Sequence, residues 1–559
     1  MDKVAELKGE VPKLVDKVPE FAGEVIRPVN EVGEFEDQVI GLRRRGRRAL
    51  KRGHLTRRRG PRRREPVRKT SGRGRDLSQQ GDFAEKRTPF RIFSAEITLK
   101  VQDMLVQFRV SNHRSIRDEQ ELTLTTSGPR SDTPSAPKKL LGASIVRVAG
   151  LYGANASGKS NVLEALRFMR NAVARSHRFW KPDGGVPREP FLLDASSRKR
   201  DSEYEVDFLI EDVPYTYGFR VDSERVTGEW LYRYPHGRRQ VLFRRDNASK
   251  YSFGKNLKGP NREIASLTRD NSLYLSAAAQ NNHKQIQPVF NWITRNIDFV
   301  SPVNTHLGVS FGQMRFVEDP RTRAQVLTLL RASDLGITGI KVQEEALDDK
   351  VAAAMEAMVK VFQEVDGGSA PPNVQVDKSQ RTVSLVHQSA DHPSGVPLSL
   401  DAESTGTKVM LYMATPLLGA LGEGGVLCID ELHSSLHSRI AREIVALFQD
   451  PDRNPKNAQL IFNTHDTNLL GDVGYEGSLL HRDQVWFTEK DAVGATKVYP
   501  LTDFNPRKNE NLERGYLQGR YGAIPFLEPW GIPGISVATD PGEGELPQLR
   551  LEFEKRDDG

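Results

Sequence analysis

The sequence holds a single cysteine, Cys428, among 559 residues. One thiol excludes an internal disulfide framework and any zinc site built on several cysteines. No run approaches the roughly 20 uninterrupted apolar residues of a membrane-spanning helix. The N-terminus lacks a short apolar run followed by a cleavage site, so no secretory signal is expected. Absence of membrane association and a cytoplasmic location follow as expectations. There is no sustained heptad pattern, which excludes a long coiled-coil arm, and no internal repeat. What remains is a globular composition, 37% hydrophobic and 28% charged. The length allows about two to four domains with a large buried core.

Acidic residues are nearly missing from one stretch. Residues 41 to 75 carry seventeen Lys and Arg against one acid, Glu65, a local charge of +16. The whole chain is only +7, so the rest of it carries −9. The basicity belongs to a tail, and a nucleic-acid argument from the overall charge does not reach the globular body. A like-charged segment of this kind buries too little apolar surface to fold, and disorder is expected. Two readings stand for residues 1 to 103. They form a nucleic-acid-binding tail, or an upstream extension that is not part of the natural product. The second is preferred, because Met104 opens a strong strand pattern, Leu105-Val106-Gln107-Phe108-Arg109-Val110.

From Met104 onward the pattern is that of an α/β protein. Ser144 to Leu151 reads as an apolar strand running into a glycine-rich turn, and Asn161 to Ala174 as an amphipathic helix. Tyr204, Val206, Phe208 and Ile210 alternate, as do Tyr215, Tyr217, Phe219 and Val221 beyond a turn at Glu211 to Pro214. That is an antiparallel hairpin whose aromatic face belongs to the core. Further strands are expected at Gly228 to Tyr234, Gln240 to Arg244 and Thr382 to His387. Helical periodicity falls at Lys284 to Asn296, Thr322 to Ala332 and Asp348 to Glu364. The last thirty or so residues, rich in Gly, Pro and Glu, read as a loose acidic tail.

The most specific signal is Gly153-Ala154-Asn155-Ala156-Ser157-Gly158-Lys159-Ser160, a G-x-x-x-x-G-K-[ST] phosphate loop between a strand and a helix. Its glycines let successive N–H groups turn toward phosphates, and the helix start at Asn161 adds its dipole. Lys159 would reach the β- and γ-phosphates of ATP, and the Ser160 hydroxyl would ligate Mg²⁺. A second apolar strand, Gly425 to Ile429, ends in Asp430-Glu431. Asp430 is placed to hold the metal. Glu431, facing the other way on an extended chain, is placed to polarise the attacking water as general base.

A third apolar strand, Asn457 to Asn463, ends in Thr464-His465-Asp466. In this order of elements His465 is the candidate contact to the γ-phosphate. Glu403-Ser404-Thr405-Gly406-Thr407 opens an amphipathic helix from Lys408 to Leu421. A Ser-x-Gly helix start offers free N–H groups, a hydroxyl and a positive dipole end. It is equally an ordinary capped helix. One protomer already has a phosphate loop, so a second phosphate site would serve another protomer.

This ordered set resembles the RecF/SMC/ABC superfamily of P-loop ATPases. More closely it resembles bacterial stand-alone AAA-type ATPases of phage-defence loci, of the PARIS and Rlo kinds, related to OLD ATPases. The resemblance runs from about Met104 to Leu527. It includes Ser111-Asn112-His113-Arg114-Ser115, the phrase Glu403 to Lys408, Leu432-His433-Ser434-Ser435-Leu436-His437, Thr464 to Leu470 and Gly515 to Phe526.

It implies an ABC-type head, with a mixed sheet flanked by helices, an antiparallel β subdomain and a mainly helical insertion. The implied organisation has an Arg-rich extension (1–103), an N-terminal lobe (104–254), an insertion (255–395), a C-terminal lobe (396–527) and an acidic tail (528–559). By position, Ser404 and Gly406 become the signature motif that completes a partner's ATP site. Ser434 to His437 becomes the loop lying across a dimer interface, and Arg114 a basic residue near the nucleotide. The signature lacks the usual Gly-Gly-Gln, and Asn171 to Asp201 contains no Gln, so a further metal ligand stays unassigned.

The resemblance implies ATP hydrolysis with Mg²⁺ in a nucleotide-dependent homodimer or higher oligomer. The motion would drive a separate effector, such as a nuclease, in anti-phage defence. The alternative is a RecF-like repair ATPase that binds nucleic acid directly. A transporter motor is disfavoured by the insertion and by the missing Gly-Gly-Gln. An intrinsic nuclease is disfavoured because Asp491 and Asp503 stand isolated.

Overall fold

The computed structural model describes residues 103–128, 131, 133, 135–140, 143–247, 249–301, 315–346, 379–471, 478–507 and 510–525. The expected Arg-rich extension before Asp103, the helix at Asp348 to Glu364 and the acidic tail lie outside the described residues. Strands in chain order begin with β1 (Met104–Ser111), β2 (Gln120–Thr123), β3 (Ser135–Leu140), β4 (Ala143–Val146) and β5 (Val148–Gly153). Next come β6 (Ser202–Ile210), β7 (Val213–Val221), β8 (Val226–Arg233), β9 (Gln240–Asp246), β10 (Lys250–Phe253) and β11 (Ile297–Val300). The last are β12 (Ile337–Ala346), β13 (Ser379–His387), β14 (Val396–Ser399), β15 (Val426–Ile429), β16 (Gln459–Asn463), β17 (Val485–Lys490) and β18 (Thr496–Pro500). The expected strand Ser144 to Leu151 is two strands, β4 and β5, interrupted at Arg147.

Helices begin with α1 (Lys159–Phe179), α2 (Ala195–Lys199), α3 (Asn261–Leu267), α4 (Tyr274–Gln280) and α5 (Gln287–Arg295). They continue with α6 (Arg315–Glu318), α7 (Pro320–Ala332), α8 (Thr405–Glu423), α9 (Ser438–Gln449) and α10 (Leu512–Leu517).

A six-stranded sheet in the order β11-β15-β16-β5-β17-β18 carries the chemistry. Its first five strands run parallel, and β18 returns antiparallel. The strands β5, β15 and β16 are buried along their whole length, as expected for interior strands covered on both faces. Their side chains alternate between two cores. Ala149, Leu151, Val426, Cys428 and Ile461 face one that also takes α1, α4, α5 and the antiparallel sheet. Val148, Tyr152, Leu427, Ile429, Leu460 and Phe462 face another, closed by α8, α9 and α10. Burial drives the Cys428 thiol pKa well up, so this cysteine is a packing residue.

The second layer is an antiparallel sheet in the order β10-β9-β8-β7-β6-β1-β2. The β6–β7 hairpin turns on Glu211 and Asp212, both at positive φ (47° and 69°), the backbone of a two-residue type I′ turn. The stretch 255–395 supplies α3 to α7, adds β11 to the edge of the parallel sheet, and contributes β12 and β13 to a three-stranded sheet completed by β14. The α6–α7 and β12–β13 elements share a third core with Met410, Leu411 and Ala414 of α8. Among the described residues, no helix is long and apolar enough to cross a membrane.

Candidate nucleotide site

The phosphate loop leaves the carboxyl end of β5, next to the ends of β15 and β16, where open α/β sheets place their ligands. Two glycines are required by space as much as by conformation. Gly153 (φ +155°) leaves no room for a Cβ against the Thr488 carbonyl, and Gly158 (φ +108°) leaves none against the Thr496 side chain. The β17–β18 hairpin therefore presses directly on the loop. Thr488 Oγ1 lies 2.6 Å from Ser157 Oγ. Thr496 Oγ1 donates to the Ser157 carbonyl at 2.9 Å. Asn155 and Ala156 form an exposed tip, with Ala156 at φ 60°.

No side chain caps the N-terminus of α1. The N–H groups of Lys159 and Ser160 precede the first acceptor of the helix, the Gly158 carbonyl, which takes the Asn161 N–H at 3.0 Å, and with the dipole they favour an anion. Lys159 is 5% exposed. It folds back on the loop, its Nζ donating to the carbonyls of Gly153 (2.8 Å) and Ala154 (2.9 Å). Desolvation pulls its pKa down to about 8, while Glu431 and Asp430 pull the other way. Ser160 follows on the same turn, and Asn161 Nδ2 donates to Ser115 Oγ at 2.6 Å.

At the acidic strand, Asp430 continues past β15 with its N–H on the Val300 carbonyl (2.9 Å). Glu431 departs from the expected extended backbone: its φ is +56°. The cause is a residue the sequence reading passed over. Asn463 Oδ1 accepts the Glu431 N–H at 2.6 Å, and the Asn463 carbonyl accepts the Leu432 N–H at 3.1 Å. Its Nδ2 donates to Asp430 Oδ1 at 2.5 Å and to Ser160 Oγ at 3.3 Å. The sequence did carry a signal, a lone amide ending an otherwise apolar strand end, Leu460-Ile461-Phe462-Asn463.

A second overlooked residue is His433. Its Nδ1 lies 3.0 Å from Thr464 Oγ1 and accepts the His465 N–H at 3.4 Å, and its ring meets that of His465 edge-on at 5.5 Å. The His465 pKa is pushed down to about 4, by desolvation first and then by Lys159 and His433. His465 is therefore a neutral imidazole at neutral pH.

Lys159, Ser160, Asp430, Glu431 and His465 thus gather at one end of the sheet. A hydroxyl and a carboxylate are hard oxygen donors that suit Mg²⁺, which keeps waters and phosphate oxygens as its other ligands. Among the described residues, no three His, Cys, Asp or Glu side chains group to hold a metal. Ser160 and Asp430 are the oxygen donors that would hold such an ion here, joined through Asn463 Nδ2.

Ser404 and Gly406 stand elsewhere. Ser404 is the N-cap of α8, its Oγ accepting the Thr407 N–H at 3.1 Å. A Cβ on Gly406 would lie 2.7 Å from the Ser435 carbonyl. The helix start therefore packs on the Ser434 to His437 loop, where Ser435 has φ 62° and His437 Nδ1 caps α9. Among the described residues, no hydrogen bond joins Ser404 or Gly406 to residues 153–161. Glu403, nearly buried, accepts from His387 Nε2 of β13 at 2.7 Å.

Arg114, expected near the nucleotide, is held by Glu189 through two hydrogen bonds of 2.6 and 3.2 Å. Its neighbours do the joining. The buried Asn112 Nδ2 donates to the carbonyls of Ser197 and Arg200, and Ser115 Oγ lies 2.7 Å from Thr496 Oγ1.

Among solved structures, the chain is similar to an SMC head bound to the C-terminal winged-helix domain of ScpA, at 13% identity and a TM-score of 0.34, over 71% of this chain and 96% of that one. It is similar to the SMC head domain from Thermotoga maritima, at 13% identity and a TM-score of 0.31, over 71% of this chain and 98% of that one. It is also similar to the recombination mediator RecF with ATP, at 14% identity and a TM-score of 0.30, over 72% and 99% of the two chains. Likenesses this distant carry no functional weight. No curated protein matches the chain. Residues 148–471 match the family described as "AAA domain, putative AbiEii toxin, Type IV TA system", and the chain belongs to that family.

Proposed function

We propose that the protein binds and hydrolyses ATP, and that each active site is completed by a second copy of the chain. The observation that carries the first part is the convergence of Lys159, Ser160, Asp430, Glu431 and His465 at the carboxyl ends of adjacent parallel strands. N–H groups of the loop and of the α1 start take the triphosphate, and Lys159 exchanges its two carbonyl partners for phosphate oxygens. Ser160 and Asp430 would hold Mg²⁺, which when bound would supply positive charge to the phosphate oxygens. Glu431, anchored through its own N–H, orients and deprotonates the attacking water. The neutral His465 donates a hydrogen bond to the γ-phosphate from a ring steadied by His433.

Support for the second part is geometric. Gly406 packs against the Ser434 to His437 loop and not on its own phosphate loop, and Ser404 is exposed at the helix start, so a partner's nucleotide could reach it by displacing the local bonds of Ser404 Oγ to Thr407. ATP would then close two protomers and hydrolysis reopen them. On the resemblance set out in the sequence analysis, the recipient of that motion is a separate effector in defence.

Complementation of two inactive chains tests this. Lys159→Ala lacks a working phosphate loop and Ser404→Arg lacks a working helix start. A mixed dimer would have one intact composite site, and up to about half the normal turnover per dimer is expected. Mixed dimers that form without regaining activity would rule out action in trans.

A further inference from the structure

The fully buried Asn463 is not demanded by the phosphate-loop chemistry. The β15–β16 ladder pairs Ile429 with Phe462 as its last step, so Asp430 and Asn463 are the next two residues beyond it. A buried carboxamide is costly unless its donors and acceptor are satisfied. Those of Asn463 are satisfied by two residues of the acidic turn and one of the phosphate loop, and its main-chain carbonyl takes a third residue of the turn. Nδ2 takes Asp430 Oδ1 and Ser160 Oγ, Oδ1 takes the Glu431 N–H, and the main-chain carbonyl takes the Leu432 N–H.

We propose that Asn463 is a positioning residue that ties the divalent-cation site to the general base. The inference rests on the ATPase reading above. The two oxygens bridged by Nδ2, Ser160 Oγ and Asp430 Oδ1, are the two protein oxygens assigned to the metal. A partly positive amide between them keeps both aimed at one point before any cation arrives. The Oδ1 end of the same amide pins Glu431, whose φ of +56° is a conformation a glutamate adopts only when its surroundings fix it. A cation that takes Ser160 Oγ and Asp430 Oδ1 competes with the two Nδ2 contacts, at 3.3 and 2.5 Å, but not with the 2.6 Å bond to Glu431. The base therefore stays anchored while the metal site fills. One rigid, planar group sets the distance between metal and base, which a residue holding only one of them could not do. Outer partners of this kind typically change metal affinity or activity by about 10–100-fold when removed.

The test compares wild-type protein with Asn463→Ala and Asn463→Asp, using a fluorescent ATP analogue, Mn²⁺ binding by electron paramagnetic resonance, and phosphate release. In EDTA, Asn463→Ala should bind the analogue within about twofold of wild type, since the loop and Lys159 are untouched. Its half-saturating Mg²⁺ and Mn²⁺ should rise, and its kcat fall, each by about 10–100-fold. Asn463→Asp keeps the shape and the acceptor for the Glu431 N–H, so it remains informative if the alanine variant does not fold. It should return kcat at saturating Mg²⁺ to within about tenfold of wild type. Its second carboxylate should lower the half-saturating Mn²⁺. Unchanged metal affinity and kcat in Asn463→Ala would overturn the inference. So would an Asn463→Asp chain indistinguishable from wild type in both. A wild-type chain that binds Mn²⁺ and nucleotide without turnover refutes the ATPase reading instead, so the two failures are distinguishable.

Discussion

Raising the pH should weaken nucleotide binding through Lys159 alone, by an amount that follows from its surroundings. Burial among the loop carbonyls brings the Lys159 pKa down to about 8, with Glu431 and Asp430 opposing. A triphosphate beside the ammonium favours the charged form and raises that pKa in the complex. Binding above pH 8 is then coupled to proton uptake. Below pH 8 the amine is mostly charged already and affinity should be level. Between pH 8 and pH 9 the charged fraction of the empty site falls from about one half to about one eleventh, so affinity should fall about fivefold.

In the empty site His465 is pushed down to about 4 and His433 also lies below its ordinary value, so the proton that the empty site loses between pH 8 and 9 is that of Lys159. The assay is titration of a fluorescent ATP analogue in EDTA at pH 7, 8 and 9. Calorimetry in two buffers of different ionisation enthalpy should find about half a proton taken up at pH 8. Lys159→Arg supplies the control, since a guanidinium stays charged and its profile should be flat. A level wild-type profile, or the same slope in Lys159→Arg, would refute the reasoning.

Three further outcomes are expected. Glu431→Gln should bind ATP as wild type does but stall hydrolysis by at least about 100-fold, with the ATP-bound dimer visible by size exclusion; normal turnover would remove Glu431 as the base. Thr496→Val replaces a buried hydroxyl that serves the Ser157 carbonyl and Ser115, and should cost about 1–3 kcal/mol in urea unfolding, whereas unchanged stability would mean that the hairpin does not brace the loop through that bond. A chain starting at Met104 should stay soluble and keep its ATPase activity, because the apolar patterning begins there; loss of either would show that the Arg-rich segment is needed.

The parts of this site legible in the sequence were those written in contiguous residues. The phosphate loop fixes its own glycines, and the fully apolar strands announce themselves by having no exposed face. Asp430 immediately follows such a strand, and Glu431 and His465 are each the second residue beyond one, so their gathering at one end of the sheet could be anticipated. Lateral relations were not legible. Nothing in the local pattern says that β16 lies between β5 and β15, and only that order sets Asn463 against Ser160 and Asp430. Glu431 illustrates the same limit: strand continuation suggested an extended backbone, but a side chain thirty-two positions away turns it into the left-handed region. Long-range partners likewise set the surroundings of Arg114: its guanidinium pairs with Glu189, Asn112 holds the Ser197 and Arg200 carbonyls, and Ser115 meets Asn161 and Thr496 beside the loop. The strand β11 was masked by sitting among helical segments, since four residues, Ile297–Val300, are too few to show a period.

The placement of α8 bears on how nucleotide chemistry could be transmitted. Its middle residues are divided between two cores. Val409, Met413 and Leu417 pack toward the parallel sheet that carries Asp430 and the loop. Met410, Leu411 and Ala414 pack with α7, β12 and β13. Its first turn meets the Ser434 to His437 loop at Gly406, and the preceding Glu403 is bound by His387 of β13. A displacement at the helix start therefore cannot stay local. It must either break the His387–Glu403 pair or carry the three-stranded sheet with it, because close-packed cores shift as units and do not stretch. The second course conserves more contacts. On the reading in which Ser404 meets a partner's ATP, the β12–β14 sheet is then the first part of the protomer outside the site to move when two copies close.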